Sequence, residues 1–171
     1  LTLVPHRGAY VRTLTRREVA EVLVIQETLT ALVTRLATEN IGKGNNRQLF
    51  KRVYRDLITN TSNADIHELL DRRAEFYDTL VALSGNSELK RFVPIPQTNL
   101  LRTQFVRYFS SEQRQRELQE YEEIARRILA GDANGAENAM RVHIENARHS
   151  IERLPDDAFA KRIESASTNQ Q

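Results

Sequence analysis

The stretch SSEQRQRELQEYEEIARRILAGDANGAENAMRVHIENARHSIERLP, residues 110–155, decides the fold class. Ser110 with Gln113 makes a capping box, in which hydroxyl and amide satisfy each other's otherwise unpaired backbone N–H groups and so start a helix. Leu118, Ala125, Ile128 and Leu129 then recur at helical spacing until Gly131 ends the run. Asp132 caps a second helix, whose inward face is Ala136, Met140, Ile144, Ala147, Ile151 and Leu154, and Pro155 stops it. Two amphipathic helices with so short a connection pack antiparallel, and each has an apolar stripe that other helices must cover.

Further helices are legible upstream. Thr15 with Glu18 is a second capping box; behind it Val19, Val22, Leu23, Leu29, Leu32, Val33 and Leu36 form a long stripe that Gly42 and Gly44 terminate. Leu49, Phe50, Val53, Leu57 and Ile58 share a face before the turn-rich Asn60, Thr61, Ser62 and Asn63. Ile66, Leu69, Leu70, Phe76, Leu80 and Leu83 follow, stopped by Gly85 and Asn86. Pro94 and Pro96 limit residues 87–93 to a short helix and place the next start near Gln97, with Leu101, Phe105 and Tyr108 inward. Only Val4, Pro5, Gly8 and Val11 suggest a short strand or turn. The expectation is an all-α fold: an antiparallel bundle of six or seven helices over residues 15–156, preceded by a short strand within 1–14 and followed by a flexible tail over 157–171.

Composition narrows the function. A chain of 171 residues suits one core, and it has no apolar run as long as a membrane span. With no cysteine there are no disulfides, thiolate metal sites or cysteine nucleophiles, which fits a reducing compartment and points to the cytoplasm. The 25 basic and 23 acidic residues are interspersed, so the net charge of +2 is too mild for a nucleic-acid footprint. Residues 1–14 lack the order of a signal peptide and begin with Leu, which reads as the start of a piece of a longer protein. There is no Gly-rich phosphate loop and no Ser, His and Asp arrangement in context, so the chain does not read as an enzyme.

The informative residues are polar ones on inward faces, because a buried polar group costs about 1–3 kcal/mol unless it is satisfied. Gln26 lies between Val22 and Leu29, and Arg73 between Leu69 and Phe76. Tyr121 lies between Leu118 and Ala125, and His143 between Met140 and Ala147; Tyr77 shares the face of Arg73. These five come from four helices and can meet in the bundle centre, where bundles build ligand sites. A lone inward His, or a Tyr, is also an ordinary core residue with a local hydrogen bond. Arg73 cannot shed its charge, which leaves it a carboxylate partner, an anionic ligand, or a stem that reaches out to water.

Three segments resemble the GntR family of bacterial transcription regulators, specifically the C-terminal helical effector domain, FCD, of its FadR-like branch. Pro5, Arg7, Gly8 and Val11 with Leu14, Thr15, Glu18 and Val19 are similar to the family's last wing strand and the run-in to that domain. Glu75, Phe76 and Tyr77, then Leu83, Ser84, Gly85 and Asn86, look like a helix ending in its Ser-Gly-Asn turn. Tyr121, Ile124, Ile128, Gly131, Asp132, Ala136, Met140, His143 and Ile144 match its paired closing helices. The helix count would also suit a tetracycline-repressor-like ligand domain, but the opening strand and the spacing of the closing helices would not.

The resemblance implies a homodimer that senses a small metabolite and meets operator DNA through a winged helix-turn-helix, of which only the last strand remains here. Many relatives hold a divalent metal with Asp and His four apart on one helix and one His from each closing helix. Those positions correspond here to Arg73, Tyr77, Tyr121 and His143, so only one ligand survives, and Arg73 would repel a dication. Asp71, Glu75 and Asp78 lie off the buried stripe. The expectation is therefore no metal and no cofactor. Arg73, with Tyr77, Tyr121, His143 and Gln26, would instead hold a carboxylate effector, singly charged or larger and partly neutral, since Gln26 stands where the family usually has Arg. The alternative is a filled core that serves only dimerisation. Val24 and Ile25, with Tyr108 and Phe109, offer apolar surface for that contact.

Overall fold

In the computed structural model the described residues are 2–4, 8–10, 13–59, 66–93 and 95–160, and no side chain is described at 2–4, 8–10, 95–98 or 100. They form two short strands, β1 (Thr2–Val4) and β2 (Gly8–Tyr10), and seven α-helices. The helices are α1 (Arg16–Glu39), α2 (Asn46–Ile58), α3 (Ile66–Leu83), α4 (Leu89–Phe92), α5 (Ile95–Phe105), α6 (Ser111–Ala130) and α7 (Ala133–Glu152). The all-α bundle expected from periodicity is the fold observed. Where one opening strand was expected there are two, paired antiparallel with Thr2 opposite Tyr10 and Val4 opposite Gly8. Three residues a side are too few for alternation to show in sequence. Pro5, Arg7 and Val11 lie outside the described residues.

The start and stop signals act as chemistry requires. Thr15 N–H donates to Glu18 Oε2 at 2.9 Å, and Glu18 N–H returns to Thr15 Oγ1 at 3.3 Å. Ser110 and Gln113 reciprocate likewise at the start of α6. Gly131 adopts φ +75°, and its N–H reaches the carbonyls of Arg127 and Ile128, closing α6 in the left-handed cap that glycine enters without strain. Asp132 then accepts from Gly135 N–H at 2.9 Å; a Cβ on Gly135 would stand 2.1 Å from that carboxylate, so the tight α6–α7 junction requires both residues. Helix α5 begins at Ile95, two residues before the expected start, because Pro96 falls in the first turn, where its missing N–H costs nothing.

Helix α1 lies at the centre of the bundle and α7 runs antiparallel along it, as Arg16 with Glu152, Glu27 with Arg141 and Arg35 with Glu137 show. Helices α6 and α7 form a hairpin, α3 packs on α1 and α2, and α5 packs on α3 and α1. The core joins Phe50, Phe76, Leu80, Phe105, Ile124, Ile128, Met140 and Ile144, all buried. The apolar stripe read for α1 covers only part of its buried face. Val22, Leu29, Leu32 and Leu36 are half-buried, whereas Thr30, Thr34 and Thr38 are fully buried. Each of these hydroxyls donates to the carbonyl four residues earlier, at 2.7–2.8 Å, so a threonine column is buried with its polar atoms satisfied within its own helix.

The ordered domain also runs past the expected boundary at 156. Asp156–Ala158 form a 3₁₀ turn, and Phe159 packs on Phe105 with 5.2 Å between ring centroids. Arg16 stacks on Phe159 at 4.1 Å and donates to the carbonyls of Glu152 and Leu154, capping the end of α7. Gln104 on α5 binds both chain ends of the domain. It accepts from Leu14 N–H at 2.9 Å and donates to the carbonyls of Leu14 and Ala158.

Candidate functional site

All five residues singled out by sequence, Gln26, Arg73, Tyr77, Tyr121 and His143, are buried. Asp71, Glu75 and Asp78 are exposed, as their positions off the stripe require. Helical phase brings the five together: Arg73 and Tyr77 stack four apart on α3, while α6 and α7 bring Tyr121 beside His143 with 4.6 Å between ring centroids. Phe76 supports them by edge-on contacts with Tyr77 and Tyr121 at 5.5 and 5.4 Å.

Of the three fates open to Arg73, the structure displays the first. Its Nη1 donates to Glu117 Oε1 at 2.9 Å and to the Tyr121 hydroxyl. The other oxygen of Glu117 accepts from Nη2 of Arg102 on α5. Glu117 and Arg102 were not singled out from sequence, although Glu117 lies four residues before Tyr121 on the same face of α6. A second acid, Glu120, holds His143: its Oε2 lies 2.7 Å from Nδ1, and its Oε1 accepts from Asn146 at 2.7 Å.

The electrostatics follow from burial. Desolvation alone would raise the Glu117 pKa, but the guanidinium groups of Arg102 and Arg73, with His143 nearby, outweigh it and hold the carboxyl below its usual range. Burial opposes the charge on Arg73, and the surrounding oxygens of Tyr121, Tyr77 and Glu117 more than restore it. Burial pushes the Tyr121 phenol well above its ordinary value, so that it stays neutral at physiological pH and accepts from Arg73.

Gln26, Arg73 and His143, with Arg102 and Glu117, line a cavity of about 40 Å³, whereas Tyr77 and Tyr121 lie behind Arg73 and are not among its lining residues. It adjoins a more superficial cavity of about 50 Å³ that shares Arg102, Phe109, Glu117 and His143. Three polar atoms here are buried without a hydrogen-bond partner among the described residues: Gln26 Oε1, Arg73 Nε and Arg102 Nε. Such orphans cost about 1–3 kcal/mol each, and all three residues line the inner cavity.

The donor set does not suit the divalent metal of the resembling family. A guanidinium, two phenols and one imidazole occupy the four positions, and the guanidinium is bonded to one of the phenols. Among the described residues no three His, Asp or Glu side chains are grouped so as to hold a metal ion. Nor is any helix among them long and apolar enough to cross a membrane.

No curated protein matches the chain. The model of the FCD domain family does match it, over residues 21–146. That span runs from α1 through most of α7 and holds every residue of the site described above. With the all-α bundle and the interior polar cluster inside the matched region, the chain belongs to the FCD domain family of regulatory domains.

Proposed function

We propose that this domain is the effector-sensing and dimerisation half of a bacterial GntR-type regulator of the FadR-like branch, and that it takes a small organic acid in a metal-free pocket built around Arg73. The observation that carries this reading is the set of orphaned polar atoms on Gln26, Arg73 and Arg102, which line one cavity. A structural core tolerates few such atoms, and a ligand with acceptor and donor groups would satisfy them. Tyr121 and His143 orient the acid by hydrogen bonds. Residues 1–14 are the end of the DNA-reading unit and its run-in, the partner is a second copy of the chain, and the compartment is the cytoplasm. Operator DNA is met only through the winged helix-turn-helix.

A thermal-shift screen of organic acids tests this. A saturable rise in melting temperature that Arg73→Ala removes supports sensing, since a ligand that binds only the folded state stabilises it by RT ln(1 + [L]/Kd). A second reading, a dimerisation scaffold with a filled core, has its own support. Glu117 already neutralises Arg73, and about 40 Å³ holds about three or four water molecules at roughly 10–15 Å³ each. Indifference to every acid would favour it. Dimerisation is supported by Val24 and Ile25, which are 55% and 53% exposed on the outer side of α1. Sedimentation of the fragment as a strict monomer at high micromolar concentration would count against it.

A further inference from the structure

The cavity beside Arg73 is too small for an organic acid as long as Glu117 stays where it is. We infer that Glu117 is a built-in occupant of the effector's seat: its carboxylate holds, between Arg73 and Arg102, the place that an incoming monocarboxylate takes over. The inference rests on the sensing reading.

Four features carry it. First, one carboxylate is split between two guanidinium groups, with Oε1 on Arg73 and Oε2 on Arg102. Each Arg spends a single Nη on Glu117, and both Nε atoms are buried without an acceptor. A guanidinium pairs with a carboxylate most favourably through two parallel bonds, so the present occupant satisfies neither fork, and a free carboxylate can satisfy one fully.

Second, Glu117 lines both cavities and lies at their junction; its side chain is 18% exposed where that of Arg73 is 6%. Third, the outer cavity supplies a landing place for a displaced acid. It is lined by Arg114 and Arg116; Arg114 donates only to the Phe109 carbonyl, and Arg116 has no ion pair among the described residues. Arg114 lies three before Glu117 on α6, within reach of a rotamer change.

Fourth, the inner cavity continues from the two Arg residues onto Leu23, Leu101, Ile144 and Ile151. The ligand that fits is a monoanionic carboxylate with a short apolar tail. Exchange of one monoanion for another leaves the charge of the seat unchanged, whereas a dianion would add negative charge close to Glu120. Exchange also breaks the ion pair that ties α6 to α5 and one of the two polar links between α6 and α3, leaving the Arg73–Tyr121 bond as the other.

The test is calorimetric titration of the whole chain with butyrate, with butyramide as the uncharged control. Glu117→Gln is expected to bind butyrate at least tenfold more tightly than the unaltered protein, and adding Arg73→Ala is expected to abolish the gain. Butyramide should show no such difference. If both proteins bind butyrate equally, or Glu117→Gln binds it less well, Glu117 is a structural strut and the inference fails while sensing stands. If butyrate, acetate and benzoate all fail to bind either protein, sensing fails and the inference with it. Should Glu117→Gln not fold, Glu117→Asp keeps the charge on a shorter stem. It is expected to bind butyrate several-fold more tightly, and unchanged affinity would overturn the inference.

Discussion

Arg73 and Glu117 meet at 2.9 Å across α3 and α6, and Glu117 also holds Arg102, so the two partners should not be equally costly to lose. Removing one partner of a buried pair strands the other. Glu117→Ala strands two guanidinium groups and is expected to cost about 3 kcal/mol, whereas Arg73→Ala leaves Glu117 with Arg102 and should cost about 2. Urea denaturation at constant slope reads both. Equal losses would show that Arg102 gains nothing from Glu117.

Acid should erase the Glu117 contribution. Its folded-state pKa is depressed, so its stabilisation is fully present above the unfolded carboxyl value of about 4.3, declines below it, and is gone once pH falls through the folded value. The gap in urea midpoint between the unaltered protein and Glu117→Gln should be constant from about pH 7 to 5 and narrow below about pH 4. A gap that widens on acidification would contradict this.

Gln26 separates stability from binding. Its Oε1 is buried without a partner, so replacing the amide with an apolar side chain of similar size removes a penalty. Gln26→Leu should hold or raise the urea midpoint, by up to about 1 kcal/mol, while weakening any organic acid found in the thermal screen. A loss of several kcal/mol would mean that the amide is structurally engaged.

Zinc or nickel should not bind stoichiometrically. The guanidinium of Arg73 is bonded to Tyr121 where metal-bearing relatives would place ligands, and it would repel a dication. Tight one-to-one binding by calorimetry, lost in His143→Ala, would overturn the reading of the site.

The caps were legible because their signals are local: Thr15 with Glu18, Ser110 with Gln113, and Asp132 at the start of α7 each act within three residues. The five polar residues on inward faces were legible for the same kind of reason, since helical phase alone buries them. What each one touches was not. Glu117 reads as one acid among several on a charged helix face, and only the approach of α3 and α5 makes it the counter-ion of Arg73 and Arg102. The threonine column on α1 escaped because threonine reads as polar until its hydroxyl turns back onto its own helix. The packing of Phe159 escaped because it depends on Arg16 and Phe105, far away in sequence.

Gln104 and Arg102 are two residues apart on α5, which turns them to opposite sides of the helix. One side carries the charge that Glu117 holds; the other clasps the backbone of Leu14 and Ala158. Helix α5 is therefore a splice: a short rod that fastens α6 by an ion pair on one flank and the two ends of the bundle by an amide on the other.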